Sequence, residues 1–204
     1  MTLTEVSTQL NSINNNKLPP IFFLTDMNKF KNPEVICQQL PTGSGVIFRD
    51  YEISDRKLRA STLAKVCAEH GLILFIGEDR DLALSVGADG VHYKENTITS
   101  ALKSMKDKKL IVTAATHTFN SILMAKEAGA DAVLLSPVFR NKSHPEATPL
   151  GISKFRDWTN RSPLPVYALG GISSDNAHKL LSTKAIGIAA IEGVIREFYP
   201  SEKS

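Results

Sequence analysis

A short apolar run followed by a longer segment recurs eight times along this 204-residue chain, and that alternation restricts the fold more than any other feature. The runs are Ile21–Leu24, Gly45–Phe48, Leu72–Ile76, Gly90–His92, Leu110–Thr113, Ala132–Leu135, Val166–Leu169 and Ala185–Ala190. The first and third are apolar throughout, as parallel strands buried on both faces are. Helical spacing lies between runs: Asp55 to His70, with Leu58, Leu63, Val66 and Cys67, then Asp79 to Val86, Ser121 to Ala128 and Ser174 to Leu181. Ser54 reads as an N-cap and Gly71 as a C-terminal stop. Strand–helix alternation implies a parallel sheet with right-handed crossovers, and eight units close it into a single (β/α)8 TIM barrel. An open, dinucleotide-binding sheet would place glycines after its first strand, where this chain has Thr25-Asp26-Met27-Asn28. The barrel domain is placed at residues 19–204, and residues 1–18, rich in Asn, Thr and Ser, are read as a polar tail or frayed helix.

Charge and cysteine usage narrow the function classes. A net charge of +3, dispersed along the chain, does not point to nucleic acid or a membrane surface. The densest basic stretch, Lys103, Lys106, Lys108 and Lys109, reads as a solvated helix end. Neither Cys37 nor Cys67 has partners at zinc-site spacing, so both are expected as buried thiols in a reducing compartment. No apolar run is long enough to span a bilayer, and no secretory signal is seen at the start. The cytoplasm is the expected location, a homodimer is an admissible assembly, and the partner is a small phosphorylated substrate. Val86-Gly87-Ala88-Asp89-Gly90-Val91 is echoed by Ala128-Gly129-Ala130-Asp131-Ala132-Val133, each a helix stop leading into a strand. The two aspartates are read as structural.

In such barrels the chemistry sits in loops after the strands. Gly170-Gly171-Ile172 follows the seventh run, and Ser173 to Asn176 open the next helix. With Ile191-Glu192-Gly193 after the eighth, they form the expected phosphate site, its backbone N–H groups and helix dipole facing an anion. The loop from Ser136 to Gly151 carries Arg140, Asn141, Lys142, Ser143 and His144, donors suited to diphosphate oxygens. Arg49, after the second run, either holds an anion in the mouth or pairs with Asp50 or Glu52. His117, after the fifth, is either a proton-exchanging group or a helix-start residue bonded to backbone.

Three segments in this order carry a resemblance: Gly87-Ala88-Asp89-Gly90-Val91-His92, Gly129 through Phe139, and Ala168-Leu169-Gly170-Gly171-Ile172. They resemble the thiamine phosphate synthase and thiazole tautomerase superfamily over roughly residues 20–197. The synthases join a pyrimidine carried as a diphosphate to a thiazole phosphate, with magnesium assisting departure of the diphosphate. The resemblance implies magnesium held at Glu78 or Asp79: the family's Asn-Asp pair falls at Gly77-Glu78 here, with Asp79 next to it. It implies phosphate binding at Gly170, Gly171, Ile191 and Glu192, with the Glu192 carboxylate turned away from the anion. Diphosphate binding falls to Arg49, Asn141, Lys142, Ser143 and His144, and the catalytic set is Arg49, His117, Lys142 and Ser143.

Departures concentrate in one half of the site. The family's Gln, Arg and Lys on the second strand read Ile47, Arg49 and Tyr51 here. Its second magnesium carboxylate is sought in Tyr93-Lys94-Glu95-Asn96-Thr97, where Glu95 is displaced and Lys94 is a poor neighbour for a cation. His117 and Thr118 match, whereas the serine two places earlier is Ala115. The thiazole phosphate half therefore reads as kept and the magnesium diphosphate half as eroded. The leading expectation is a thiamine phosphate synthase-type transferase. The alternatives are a metal-independent thiazole phosphate isomerase using His117, and a non-catalytic binder of a phosphorylated metabolite.

Overall fold

The computed structural model describes residues 1–103, 109–141 and 146–199. Lys106 and Lys108 of the basic run, and Lys142, Ser143 and His144 of the long loop, lie outside those residues. Eight strands, β1 (Ile21–Leu24), β2 (Gly45–Phe48), β3 (Ile73–Gly77), β4 (Gly90–Tyr93), β5 (Ile111–Thr116), β6 (Ala132–Leu135), β7 (Val166–Leu169) and β8 (Gly187–Ala190), pair in parallel. β1 also pairs with β8, which closes the barrel. The expected (β/α)8 architecture is the one observed. Between and around the strands lie α1 (Leu3–Ile13), α2 (Pro33–Cys37), α3 (Arg56–His70), α4 (Arg80–Val86), α5 (Ile98–Lys103), α6 (Phe119–Ala128), α7 (Gly151–Arg161) and α8 (Glu192–Phe198).

Strand alternation sorts the apolar residues into two cores. Phe23, Val46, Phe48, Leu74, Ile76, Val91, Val133, Val166 and Ile188 face the helices. Phe22, Leu24, Ile47, Phe75, Ala132, Leu134, Tyr167 and Ala189 fill the barrel itself. At its foot the Phe22 ring meets Phe75 edge to face at 5.0 Å and Tyr167 at 4.9 Å. Registry sets a glycine beside each ring: Phe22 opposite Gly45, Phe75 opposite Gly90, Tyr167 opposite Gly187. A Cβ on Gly45 would lie 2.2 Å from Phe22 Cε1, and one on Gly90 2.3 Å from Phe75 Cδ1. The rings thus occupy the volume of the missing side chains. Tyr167 donates its hydroxyl to the Pro19 carbonyl at 2.7 Å, so its buried polar end is satisfied. Burial holds its phenol far above the ordinary range.

The repeated turns behave alike. Gly87 and Gly129 cap α4 and α6 in the left-handed region, with φ of +69° and +95°. Asp89 then accepts the Leu74 N–H at 2.8 Å, and Asp131 the Val112 N–H at 2.9 Å. Each aspartate ties a strand start to the preceding strand.

Three expectations are revised. Residues 3–13 are not frayed: a Thr2–Glu5 capping box starts the helix, and Leu3, Val6 and Leu10 are buried. Their spacing of three and four is the helical signal that the polar composition hides. After β7 the expected helix Ser174–Leu181 is a six-residue 3-10 turn, Ala177–Ser182, against which α1 packs. Ser54 caps nothing; Asp55 stands at the α3 start without a side-chain cap bond.

Replacing Gly45 with alanine should lower the unfolding free energy by about 1–3 kcal/mol, the cost of overpacking. Urea denaturation would show the loss, and adding Phe22→Leu should recover part of it.

Candidate active site

The inward register of each strand continues past its end and supplies the wall of a cavity. Alternate residues from Ile47 lead to Arg49 and Tyr51, from His92 to Lys94, from Thr113 to Ala115 and His117, and from Leu134 to Ser136. Together with Asp26, Lys29, Leu169, Gly170, Asn141 and Ile191, they enclose about 460 Å³. A second cavity of about 210 Å³ shares the Lys29, Asn141, Leu169, Gly170 and Ile191 walls and continues over Gly171, Ser173, Glu192, Arg140 and Arg196. The two are contiguous at the C-terminal rim.

Arg49 does not take Asp50 or Glu52 as its partner. Its Nε donates to the Thr25 carbonyl at 3.0 Å and its Nη2 to Asp26 at 3.4 Å. Asp50 is instead engaged by the Thr25 hydroxyl and by the Met27 N–H at 2.8 Å. The guanidinium is therefore anchored along one edge and turned to the central cavity, placing this residue where an anion could meet it.

His92 is fully buried beneath that cavity, its Nδ1 2.9 Å from the Thr113 hydroxyl. Burial, aided by the Arg49 charge, lowers its pKa to about 3, so the ring is neutral at physiological pH. His117 lines the wall higher up. Its Nδ1–H donates to the Ser136 carbonyl at 3.0 Å, which leaves Nε2 carrying the lone pair in the neutral ring. Nε2 lies 3.9 Å from Glu95 Oε2, a buried oxygen with no hydrogen-bond partner among the described residues. His117 is thus bonded to backbone, and its second nitrogen faces Glu95 at the cavity wall.

The smaller cavity is a glycine-walled cup. Gly170 and Gly171 adopt φ of +96° and +67°. Their lack of side chains is needed by the β6–α7 loop: a Cβ on Gly171 would lie 2.4 Å from the Arg140 carbonyl, and one on Gly170 2.8 Å from Pro137 Cα. The helix dipole expected behind them is reduced to the 3-10 turn, and Asn176 Oδ1 already accepts the Ser173 N–H at 3.0 Å. Positive charge comes from Lys29, Arg140 and Arg196 instead. Glu192 is not turned away as expected. It lines the cup, with one carboxylate oxygen on Lys29 and the other 3.7 Å from Arg196.

Sequence reasoning missed Lys29, Asp26 and Arg196 and read Lys94 only as an obstacle. For Lys94 a signal was available: counting by twos from His92 places it on the inward face. Lys29 and Arg196 reach the cup from a loop and a helix, and no strand periodicity marks them.

Comparison with known proteins decides the family. The model for thiamine monophosphate synthase matches residues 21–194. The chain belongs to the thiamine monophosphate synthase family. A putative thiamine-phosphate synthase 2 of Aquifex aeolicus is 32% identical over 180 residues, 86% of this chain and 97% of that protein. Thiamine-phosphate synthase of Caldicellulosiruptor bescii is 31% identical over 176 residues, covering 82% and 79%. Among solved structures, thiamine phosphate pyrophosphorylase of Pyrococcus furiosus superposes with a TM-score of 0.74 at 28% identity, covering 88% of each chain.

Against that family, the magnesium residues are the poor fit. Asp79 caps α4 through the Leu82 N–H at 2.9 Å, and its other oxygen takes Arg56 at 3.1 Å. Glu78, at a left-handed φ of +63°, accepts the Lys94 N–H and the Thr97 hydroxyl. Neither carboxylate lines either cavity, and the described residues hold no cluster of three metal-binding side chains. As placed, Glu78 and Asp79 brace loops, and their engaged oxygens fit a magnesium site poorly.

The buried His92 makes stability depend on pH. Unfolded, the ring takes a proton at about 6.5; folded, it refuses one until about 3. Stability is therefore lost as pH falls across that window and is kept above it. Replacing His92 with Asn should flatten the wild-type loss by up to about 1.4 kcal/mol per pH unit, read from denaturation series between these limits.

Proposed function

We propose that this chain is a thiamine phosphate synthase, joining a pyrimidine methyl diphosphate to a thiazole phosphate. The observation that carries the reading is the pair of contiguous cavities at the barrel mouth. One is a small, glycine-walled cup ringed by Lys29, Arg140 and Arg196, matched to a phosphate monoester. The other is larger, apolar on one side at Leu24, Ala115 and Leu169 and cationic on the other, matched to a ring bearing a diphosphate. A thiazole phosphate anchored in the cup would project its ring toward the central cavity.

The reaction asks little covalent work of the protein. The thiazole nitrogen contributes its electron pair to the new C–N bond, and the methylene C–O bond breaks with its pair passing to the diphosphate. The protein holds the two rings in line and meets the charge on the departing oxygens. Arg49 and Asn141 are assigned to the diphosphate, and the sequence reading adds Lys142, Ser143 and His144, which lie outside the described residues. Gly170, Gly171, Ile191 and Glu192 frame the phosphate, and His117 stands at the wall where the rings meet. The magnesium that the resemblance implies has no fitting protein donors at Glu78 and Asp79, so no step is assigned to it. A cytoplasmic location and a homodimer complete the reading; the two buried free thiols suit a reducing compartment.

Incubation with the two substrates should yield thiamine phosphate and inorganic diphosphate, detected by mass spectrometry. Arg49→Met should lower kcat/KM by about 100-fold, the usual cost of one positioned donor. Turnover of the thiazole phosphate alone into an isomer, abolished by His117→Asn, would replace this reading with the isomerase one.

Glu192 should oppose phosphate. Replacing it with Gln removes a negative charge from the cup, which at solvent-screened distance is about 1 kcal/mol, and calorimetry should show thiazole phosphate binding roughly fivefold tighter. Unchanged or weaker binding would show that Glu192 does not compete with the ligand.

A further inference from the structure

Lys94 has no part in the resemblance, yet the fold goes to some length to place it. It leaves β4 on the inward register, and its ammonium lies 4.0 Å from the centre of the Tyr51 ring. That ring rests on Gly77, where a Cβ would come 2.8 Å from Tyr51 Cε1. The Lys94 backbone N–H is fastened by Glu78, which also takes the Thr97 hydroxyl at 2.9 Å. Glu78 holds a left-handed backbone to do so, a strain of the kind that collects at functional sites. Residues at the ends of β2, β3 and β4 thus fix one ammonium group.

The wall it joins is already cationic. Lys29, Arg49 and Lys94 line the central cavity, and the only carboxylate among the described lining residues is Asp26, paired with Arg49. Lys29 and Arg49 are each partly offset by a carboxylate, Glu192 and Asp26, so the Lys94 ammonium carries the excess charge of the wall, which disfavours a divalent cation and attracts a diphosphate, and the aromatic face keeps it oriented. Glu78 and Asp79, the carboxylates at the first implied metal position, are meanwhile spent on bracing loops.

We infer that Lys94 is a catalytic residue that meets the leaving diphosphate, and that this chain releases diphosphate without a protein-held divalent metal. This rests on the functional reading above. Bond changes are unaltered: the C–O pair goes to the diphosphate oxygen, the nitrogen pair forms the C–N bond, and the ammonium keeps its proton, contributing charge and hydrogen bonds. The substrate class is therefore an organic diphosphate in its metal-free form.

Titration of the full chain with inorganic diphosphate tests this by calorimetry, in EDTA and in magnesium. The expected result is binding in EDTA that Lys94→Gln weakens about tenfold, with Tyr51→Leu causing a smaller loss in the same direction. Thiamine phosphate formation should persist in EDTA, slowed about 100-fold by Lys94→Gln. Thermal unfolding checks that both variants remain folded. Diphosphate binding or turnover that vanishes in EDTA, or a Lys94→Gln protein indistinguishable from wild type, overturns the inference while leaving the transferase reading intact. Absence of product in both conditions overturns the transferase reading instead. The titration in EDTA then decides the Lys94 site: Lys94-dependent binding upholds it, and no binding ends it.

Discussion

Phe22, Phe75 and Tyr167 meet edge to face on the barrel axis, and everything above them inherits their register. Each ring occupies space that a glycine on the next strand leaves open, so no strand can slip by one residue without driving a ring into a backbone. Once that layer is fixed, the inward positions are fixed to the rim. Ile47 is followed inward by Arg49, His92 by Lys94, Leu134 by Ser136. The packing that fills the foot of the barrel thereby selects which polar side chains face the ligand cavity.

Much of this was legible in the sequence because it is periodic. Eight apolar runs announced the strands, and the paired Gly-Ala-Asp turns announced two of the helix-to-strand joins. The position of Gly170 and Gly171 pointed to the glycine-walled cup at the rim, though the close approach observed there is made by the loop after β6. What the sequence concealed is whatever depends on contacts between distant segments. Lys29 and Glu192 are 163 positions apart and meet in the cup. Glu78 and Asp79 carried the right chemistry for a metal, and only the fold reveals that two N–H groups, a hydroxyl and a guanidinium have claimed them. Local composition misled at α1, where three apolar residues at helical spacing outweigh the surrounding Asn, Ser and Thr.

The two cavities solve one electrostatic problem in different ways. On the proposed reading a phosphate monoester in the cup would meet Lys29, Arg140 and Arg196, but Glu192 already offsets part of that charge. A modest net field there suits a group that must be bound and later let go. Among the described residues lining the central cavity the one carboxylate, Asp26, is tied to Arg49, Lys29 is shared with Glu192, and Lys94 keeps its charge on the wall. A leaving group gains negative charge as its bond breaks, so an excess of fixed cations favours the transition state over the bound substrate.

Charge alone would not make that wall catalytic, because flexible lysines in water are screened and lose entropy when they close on a ligand. Here the difference is preparation. Arg49 is held by the Thr25 carbonyl, and Lys94 is held by the Tyr51 face and a clamped backbone. His92 beneath them stays neutral through burial, so it adds no competing positive charge in the floor and leaves the field to the groups at the rim. On the proposed reading, carboxylates that brace the loops and cations that are braced in turn would give a preorganised cationic rim where the resemblance implies a metal-assisted one.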